Sequence, residues 1–193
     1  MKLAIFDLDY TIWDPEMYQL YGKPTLVSMD PVPAESQTNQ RGKVLMDTAQ
    51  QVMRIFPGAS YALTDMQRLN QEDEESNIQA AIASRTDEPS WARLCMNHLV
   101  VADQGCSGKP HQYLLADLFP EHLREIHYGS KVKHLESLHR KTQIEYRDMC
   151  FFDNERSNIS DVQRGLPDVF CVYTPDGMTK AAWDQAKEHF GLN

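Results

Sequence analysis

A parallel α/β sheet, three layers deep with helices on both faces in the Rossmann-like manner, is the fold class that the sequence predicts. Two observations carry it. Short continuous apolar runs alternate along the chain with stretches of helical spacing, as strands buried on both faces and their crossover helices do. The same runs stop abruptly at polar residues, as the carboxyl ends of such strands do. The length of 193 residues suits one domain, and a chain of that size buries roughly 70% of its unfolded surface without metal or disulfide staples.

The elements follow in order. Leu3–Phe6 is an apolar run ending at Asp7-Leu8-Asp9, and reads as the first strand. From about residue 14 to 56 the pattern is lost; Pro15, Pro24, Pro31 and Pro33 punctuate it and 36–42 is polar. This is expected to be an irregular insertion in a single domain spanning 1–193, with at most a small hairpin or helical turn. Insertions of this length tend to be functional. Pro57-Gly58 opens a helix with Ala62, Leu63, Met66 and Leu69 on one face, and the acidic run Glu72-Asp73-Glu74-Glu75 reads as a solvated turn. Ile78–Ala83 is a second strand ending at Ser84-Arg85-Thr86, and a helix is predicted from about Glu88 to Val101. A linker spans Asp103–Pro110. Leu123–Tyr128 is the third strand, and Ser130 caps a helix whose apolar face is Val132, Leu135 and Leu138. Met149–Phe152 is the fourth, ending at Asp153-Asn154-Glu155. A helix to about Arg164, a fifth strand Val169–Tyr173 and a last helix capped by Thr179, with Ala182, Ala186 and Phe190 aligned, complete the chain.

Composition narrows the function. Lys and Arg number 19 against 28 Asp and Glu, leaving a net charge of −9. That balance disfavours a nucleic-acid surface or an anionic membrane surface, while a local group of cations and metal could still bind a small anion. No apolar run is long enough to span a bilayer. Near the start the apolar run of MKLAIFDLD is about four residues, against the roughly 7–15 of a secretory signal, so a cytoplasmic protein is expected. Cys95, Cys106, Cys150 and Cys171 show neither CxxC spacing nor a disulfide framework, and read as free, partly buried thiols.

Ligands of such sheets bind beyond the carboxyl ends of the strands, and four strand ends carry polar residues: Asp7 and Asp9, Ser84 to Thr86, Ser130-Lys131, and Asp153-Asn154. Two carboxylates at i and i+2 leaving a strand can share one hard cation such as Mg²⁺. They also push their pKa values apart, so that one acts as a nucleophile while the other keeps a proton.

FDLDYTIW (6–13), ASRT (83–86), GSKVKHLESLH (129–139), MCFFDNE (149–155) and DGM (176–178), in this order, resemble the motifs of the haloacid dehalogenase superfamily. Within it the chain is most similar to the eukaryotic-type magnesium-dependent phosphatases, a resemblance covering all but roughly 14–55 and 102–120. It implies a haloacid-dehalogenase-like fold with a minimal cap and a fairly open site, and a Mg²⁺-dependent phosphomonoester hydrolase. Asp7 would attack phosphorus and form an aspartyl-phosphate, and Asp9 would protonate the leaving oxygen and then activate water. Leu8, Ser84, Arg85 and Lys131 would bind the phosphate, Lys131 also steadying the charge on the nucleophile. Mg²⁺ would be held by the Asp7 carboxylate, the Asp9 main-chain carbonyl and the fourth motif. That motif usually reads Asp-Asp; here its second position is Asn154, so either the amide oxygen of Asn154 or the carboxylate of Asp153 takes the ligand role. The implied substrates are sugar phosphates or phosphotyrosine-like aryl phosphates, met as a small molecule or a phosphoprotein; the acidic, one-domain chain itself is expected to be a monomer or weak dimer. A catalytically weak phospho-ligand module and a phosphotransferase or mutase are the alternatives.

Weaker candidates remain. Trp13 could wall the pocket or pack in the core. His127, His134 and His139 read as helix-surface or half-buried histidines, and Glu155 and Asn158 either orient the fourth-motif loop or cap the following helix.

Overall fold

A computed structural model describes residues 1–72, 77–102 and 112–192. The chain forms β1 (Leu3–Phe6), β2 (Trp13–Asp14), β3 (Thr25–Ser28), β4 (Lys43–Met46), β5 (Arg54–Ile55), α1 (Pro57–Glu72), β6 (Gln79–Ser84) and α2 (Pro89–Met96). It continues through β7 (Val100–Ala102), β8 (Gln112–Leu114), β9 (Arg124–Ile126), α3 (Lys131–Thr142), β10 (Met149–Asp153), α4 (Arg156–Gly165), β11 (Phe170–Tyr173) and α5 (Lys180–Phe190). Five strands make one sheet in the order β11-β10-β1-β6-β9, every neighbouring pair parallel. β1 lies at its centre, in register with β10 (Phe6 opposite Phe152) and with β6 (Phe6 opposite Ile82).

Strand alternation sorts the core onto two faces. Ala4 and Phe6 point to the face covered by α1 and α5, while Leu3 and Ile5 point to the face covered by α3 and α4. Phe6 stacks on Phe152 at 4.9 Å between ring centres, closing the first face near the functional end of the strands. Across α1 and α5, buried Asp65 accepts from the Trp183 indole at 2.8 Å and pairs with Lys187 at 2.9 Å. Gly58 lets α1 start against the backbone of Met178 and Thr179, where a Cβ would stand 2.2 Å from the Met178 carbonyl. Ser130 and Thr179 cap α3 and α5 as expected, accepting from Lys133 and Ala182 main-chain N–H groups.

Two expectations need correction. The helix expected to run to Val101 ends at Met96, and Val100–Ala102 is a strand paired antiparallel with β8. An apolar run such as Leu99-Val100-Val101 serves either element, and the two β-branched residues favour the strand once a partner is present. The insertion is also more ordered than expected. β2 and β5 clasp its two ends (Trp13 opposite Ile55), β3 and β4 form a hairpin, and Asp47 accepts main-chain N–H groups of Tyr21, Ala49 and Gln51. The linker 103–110, with Cys106, and residues 73–75 of the acidic run lie outside the described residues. Cys95 and Cys150 are buried and Cys171 is half-buried, all unbridged. Among the described residues no helix is long and apolar enough to cross a membrane.

Candidate active site

The carboxyl ends of β1, β6 and β10 and the start of α3 meet at one cleft of about 270 Å³. Asp7, the first residue after β1, stays tied to the sheet through its N–H to Phe152 O at 3.0 Å, so its side chain is aimed by the central strand. The chain then turns tightly. Leu8 O accepts from the N–H groups of Thr11, Ile12 and Trp13, Tyr10 takes a left-handed conformation (φ 53°), and Asp9 is returned over the same cleft. The Leu8 side chain is fully buried in the core, which leaves only its main chain for the site.

Lys131 opens α3 and is itself buried. Its ammonium has three protons and meets three acceptors: Asp7 Oδ1 at 2.6 Å, Ala83 O at 2.6 Å and Asp153 Oδ2 at 3.1 Å. Asp153 lies wholly in the core and is held further by the Glu155 N–H (2.7 Å) and by Asn158 Nδ2 (3.1 Å to each oxygen). Asn154, one residue on, lines the cleft, and its N–H donates to Thr11 Oγ1 at 3.1 Å. Thr11 is braced in turn, its carbonyl accepting from Met178 N–H, which follows the positive-φ Gly177 of the DGM sequence.

Ser84 and Arg85 follow β6 onto the cleft, Ser84 buried and Arg85 exposed at its mouth. The structure thus brings Asp7, Asp9, Ser84, Arg85, Lys131 and Asn154 together, and sets Asp153 behind Lys131. Trp13 does not wall the cleft. It is buried, and its indole donates to Asp9 Oδ1 at 2.8 Å, so it orients the second carboxylate from within the core. His134 is fully buried rather than on the helix surface, with neither ring nitrogen hydrogen-bonded, and its ring meets His127 edge-on at 4.4 Å.

Glu16, Tyr18, Asp87 and Tyr128 line the rim without having been singled out in the sequence. Tyr18 and Tyr128 are 67% and 85% exposed. A rim residue of an insertion or a strand-to-helix turn obeys no periodicity, so only its place beside a motif (Tyr128 before Gly129-Ser130-Lys131) could have marked it.

Charge in the cleft is out of balance. Burial raises the Asp7 carboxyl to about 8, against the pull of Lys131 and with Asp153 adding to the rise. Burial also raises Asp9, partly countered by the Trp13 hydrogen bond. Burial would lower Lys131, but Asp7 and Asp153 outweigh it and hold the ammonium above its ordinary value. One buried lysine shared by two buried carboxylates leaves room for a further cation. Among the described residues no three His, Cys, Asp or Glu side chains are grouped as a metal site. Asp7, Asp9 and Asn154 all line the cleft, and their carboxylate, carbonyl and amide oxygens are hard donors. Such a partial set suits a small dication that keeps several waters.

A sheet of this order, with acids at the end of its central strand and a lysine opening a later helix, is the arrangement that the haloacid-dehalogenase-like motifs of the sequence imply. The chain matches the acid phosphatase family over residues 1–192 and belongs to it. It is 33% identical over 190 residues to human magnesium-dependent phosphatase 1, covering 98% of this chain and 86% of that protein. A HAD-like hydrolase superfamily protein of Schizosaccharomyces pombe is 28% identical over 160 residues, 81% of this chain and 77% of that one. Among solved structures, the N-terminal part of BF1531 from Bacteroides fragilis, containing a phosphatase domain and complexed with Mg, aligns with all of this chain at TM-score 0.52 and 17% identity. The chain spans 40% of that structure, and a likeness at this identity speaks for the fold alone.

Proposed function

We propose that this phosphatase is a Mg²⁺-dependent phosphomonoester hydrolase that works through a phosphoryl group carried on Asp7. The observation that carries the reading is the Asp7–Lys131 ion pair at 2.6 Å on the cleft floor, with Asp9 oriented over the same cleft by Trp13. Asp7 forms a bond to phosphorus as the bond from phosphorus to the ester oxygen breaks. Asp9, whose carboxyl is raised by burial, delivers a proton to the departing oxygen. The resulting Asp9 carboxylate then takes a proton from the water that attacks phosphorus, and the bond to Asp7 breaks to free phosphate and the original carboxylate. Ser84, Arg85 and Lys131 hold the non-bridging oxygens and offset charge as it builds. Asp7, the Asp9 carbonyl and Asn154 are the groups that would hold Mg²⁺. When bound, Mg²⁺ offsets the repulsion between the Asp7 carboxylate and the phosphate. Asn154 is preferred to Asp153 because it lines the cleft, whereas the Asp153 oxygens are engaged by Lys131, Asn158 and the Glu155 N–H.

Sugar phosphates or phosphotyrosine-like aryl phosphates fit the rim. The cleft is small, so the leaving group protrudes toward the rim, which Tyr18 and Tyr128 line and where a ring can stack on an aromatic side chain. The protein is read as acting in the cytoplasm on a small phosphorylated molecule or a phosphoprotein, as a monomer or weak dimer.

The test is phosphate release from p-nitrophenyl phosphate while Mg²⁺ is titrated from zero. Saturable, Mg²⁺-dependent release is expected. Folded protein that retains a phosphopeptide and releases no phosphate at any Mg²⁺ concentration would make it a binding module instead.

A further inference from the structure

We infer that Asn158 is a positioning residue that joins the phosphate-facing arginine at the cleft mouth to the nucleophile at its floor. The inference rests on the roles given above to Arg85 and Asp7. Asn158 lies in the first turn of α4, is 4% exposed, and uses every polar atom of its amide. Its oxygen accepts from Arg85 Nη1 at 3.0 Å, and its nitrogen donates to both oxygens of Asp153 at 3.1 Å. Asp153 in turn faces Lys131, and Lys131 donates to Asp7. One hydrogen-bonded path therefore runs from Arg85 through Asn158, Asp153 and Lys131 to Asp7, crossing from β6 to α4, β10, α3 and β1.

The chemistry leaves the amide one orientation. Turned over, it would present N–H groups to a guanidinium and an oxygen to a carboxylate, and lose all three bonds. In the observed orientation each end strengthens the other, because the arginine polarises the amide whose N–H groups bind the carboxylate. Two consequences follow. Arg85, a long and otherwise exposed side chain, is held where it can meet a phosphate oxygen. Asp153 is held where it shares Lys131 with Asp7, which fixes the ammonium beside the nucleophile. No other residue type of this size both accepts from a cation and donates twice to an anion.

The experiment separates these two arms. Asn158→Leu keeps the shape and removes both. Asn158→Asp keeps an acceptor for Arg85 but replaces the donors to Asp153 with a repelling carboxylate. Variants are confirmed folded by thermal melting. Then KM and kcat for p-nitrophenyl phosphate are measured, and inorganic phosphate binding in Mg²⁺ is followed by calorimetry. Asn158→Leu is expected to weaken phosphate binding about tenfold and to lower kcat by a similar factor. Asn158→Asp should hold phosphate within about threefold of the wild type while losing kcat about tenfold. Adding Arg85→Met to Asn158→Leu should cost no further phosphate affinity, since the leucine variant has already released the arginine. A leucine variant that binds phosphate like the wild type, an equal loss of both quantities in both variants, or a fully additive double variant would overturn the inference. If the leucine variant does not fold, the aspartate variant set against Arg85→Met decides by the same split. Phosphate binding needs no turnover. A wild type that binds phosphate but hydrolyses no ester therefore sinks the hydrolase reading and leaves the binding arm to judge Asn158.

Discussion

On the cleft floor Asp7, Lys131 and Asp153 are buried and all three protons of Lys131 are engaged, whereas on the rim Tyr18 and Tyr128 stand largely in solvent. The floor is assembled from the ends of β1, β6 and β10 and the start of α3, elements fixed by the sheet and its helices. The rim comes from the insertion after β2, from the turn between β6 and α2 and from the turn between β9 and α3. Groups that change charge during a reaction are worth most where water is excluded and their partners cannot move. Groups that only select a leaving group can stay exposed, and their replacement costs the fold little. Stability and chemistry should therefore fall together on the floor and separately on the rim.

Lys131→Met should show the largest effect. It leaves Asp7 and Asp153 buried without their shared cation, which should cost about 3–5 kcal/mol in urea unfolding along with nearly all turnover. A variant within about 1 kcal/mol of the wild type would mean that the floor is not bound together by this ion pair. Asp9→Asn should keep the fold and slow turnover by about 10²–10⁴, as loss of a general acid and base does. If its only effect were a weaker response to Mg²⁺, the proton-transfer role of Asp9 would be wrong.

The strand ends that build the floor are legible in the sequence, because buried parallel strands are continuous apolar runs that break at the polar residues they carry. Lys131 is legible through Ser130, which caps α3 and puts its first residue at the cleft. The rest resisted for physical reasons. Val100 and Val101 change from helix to strand only because β8 pairs with them. Trp13 reads as either wall or core until its indole is seen to reach Asp9. Asn158 reads as a capping residue until Arg85, 73 positions earlier, is folded against it.

His134 offers a smaller test from behind the floor. Burial first, then the nearby charges of His127, Lys131 and Arg85, lower its pKa to about 4, with Glu125 opposing them. Between about pH 6.5 and 4 the unfolded chain takes up a proton at this position that the folded protein refuses. Stability should therefore fall as pH drops through that window, by up to about 1.4 kcal/mol per pH unit, and level off below it. His127 acts in the opposite sense, its raised pKa favouring the folded state below about 6.5 and losing that contribution as pH rises. Glu125, lowered to about 2 where Lys141, Ser137 and His127 outweigh its burial, loses its contribution only in stronger acid. Comparing urea unfolding of wild type and His134→Phe across pH isolates the first effect: the variant should lose the slope between pH 6.5 and 4. Parallel curves would show that His134 is protonated in the folded state.

On the rim, Tyr18→Ala and Tyr128→Ala should leave stability within about 0.5 kcal/mol and raise KM for an aryl phosphate by a few-fold, with a smaller change for a small alkyl phosphate. Equal changes for both esters would remove these rings from substrate selection.

The phosphoryl group on Asp7 is tested most directly by mixing enzyme with a radiolabelled aryl phosphate in Mg²⁺, quenching in acid within one turnover and mapping the label by mass spectrometry. We expect hydroxylamine-sensitive label on Asp7 and none in Asp7→Asn; in Asp9→Asn an activated aryl ester, whose oxygen leaves with little need of a proton, should still label Asp7 and the label should last longer because the second step is slowed. Turnover with no label on any aspartate, or label that persists in Asp7→Asn, would contradict the assignment of Asp7 as the nucleophile.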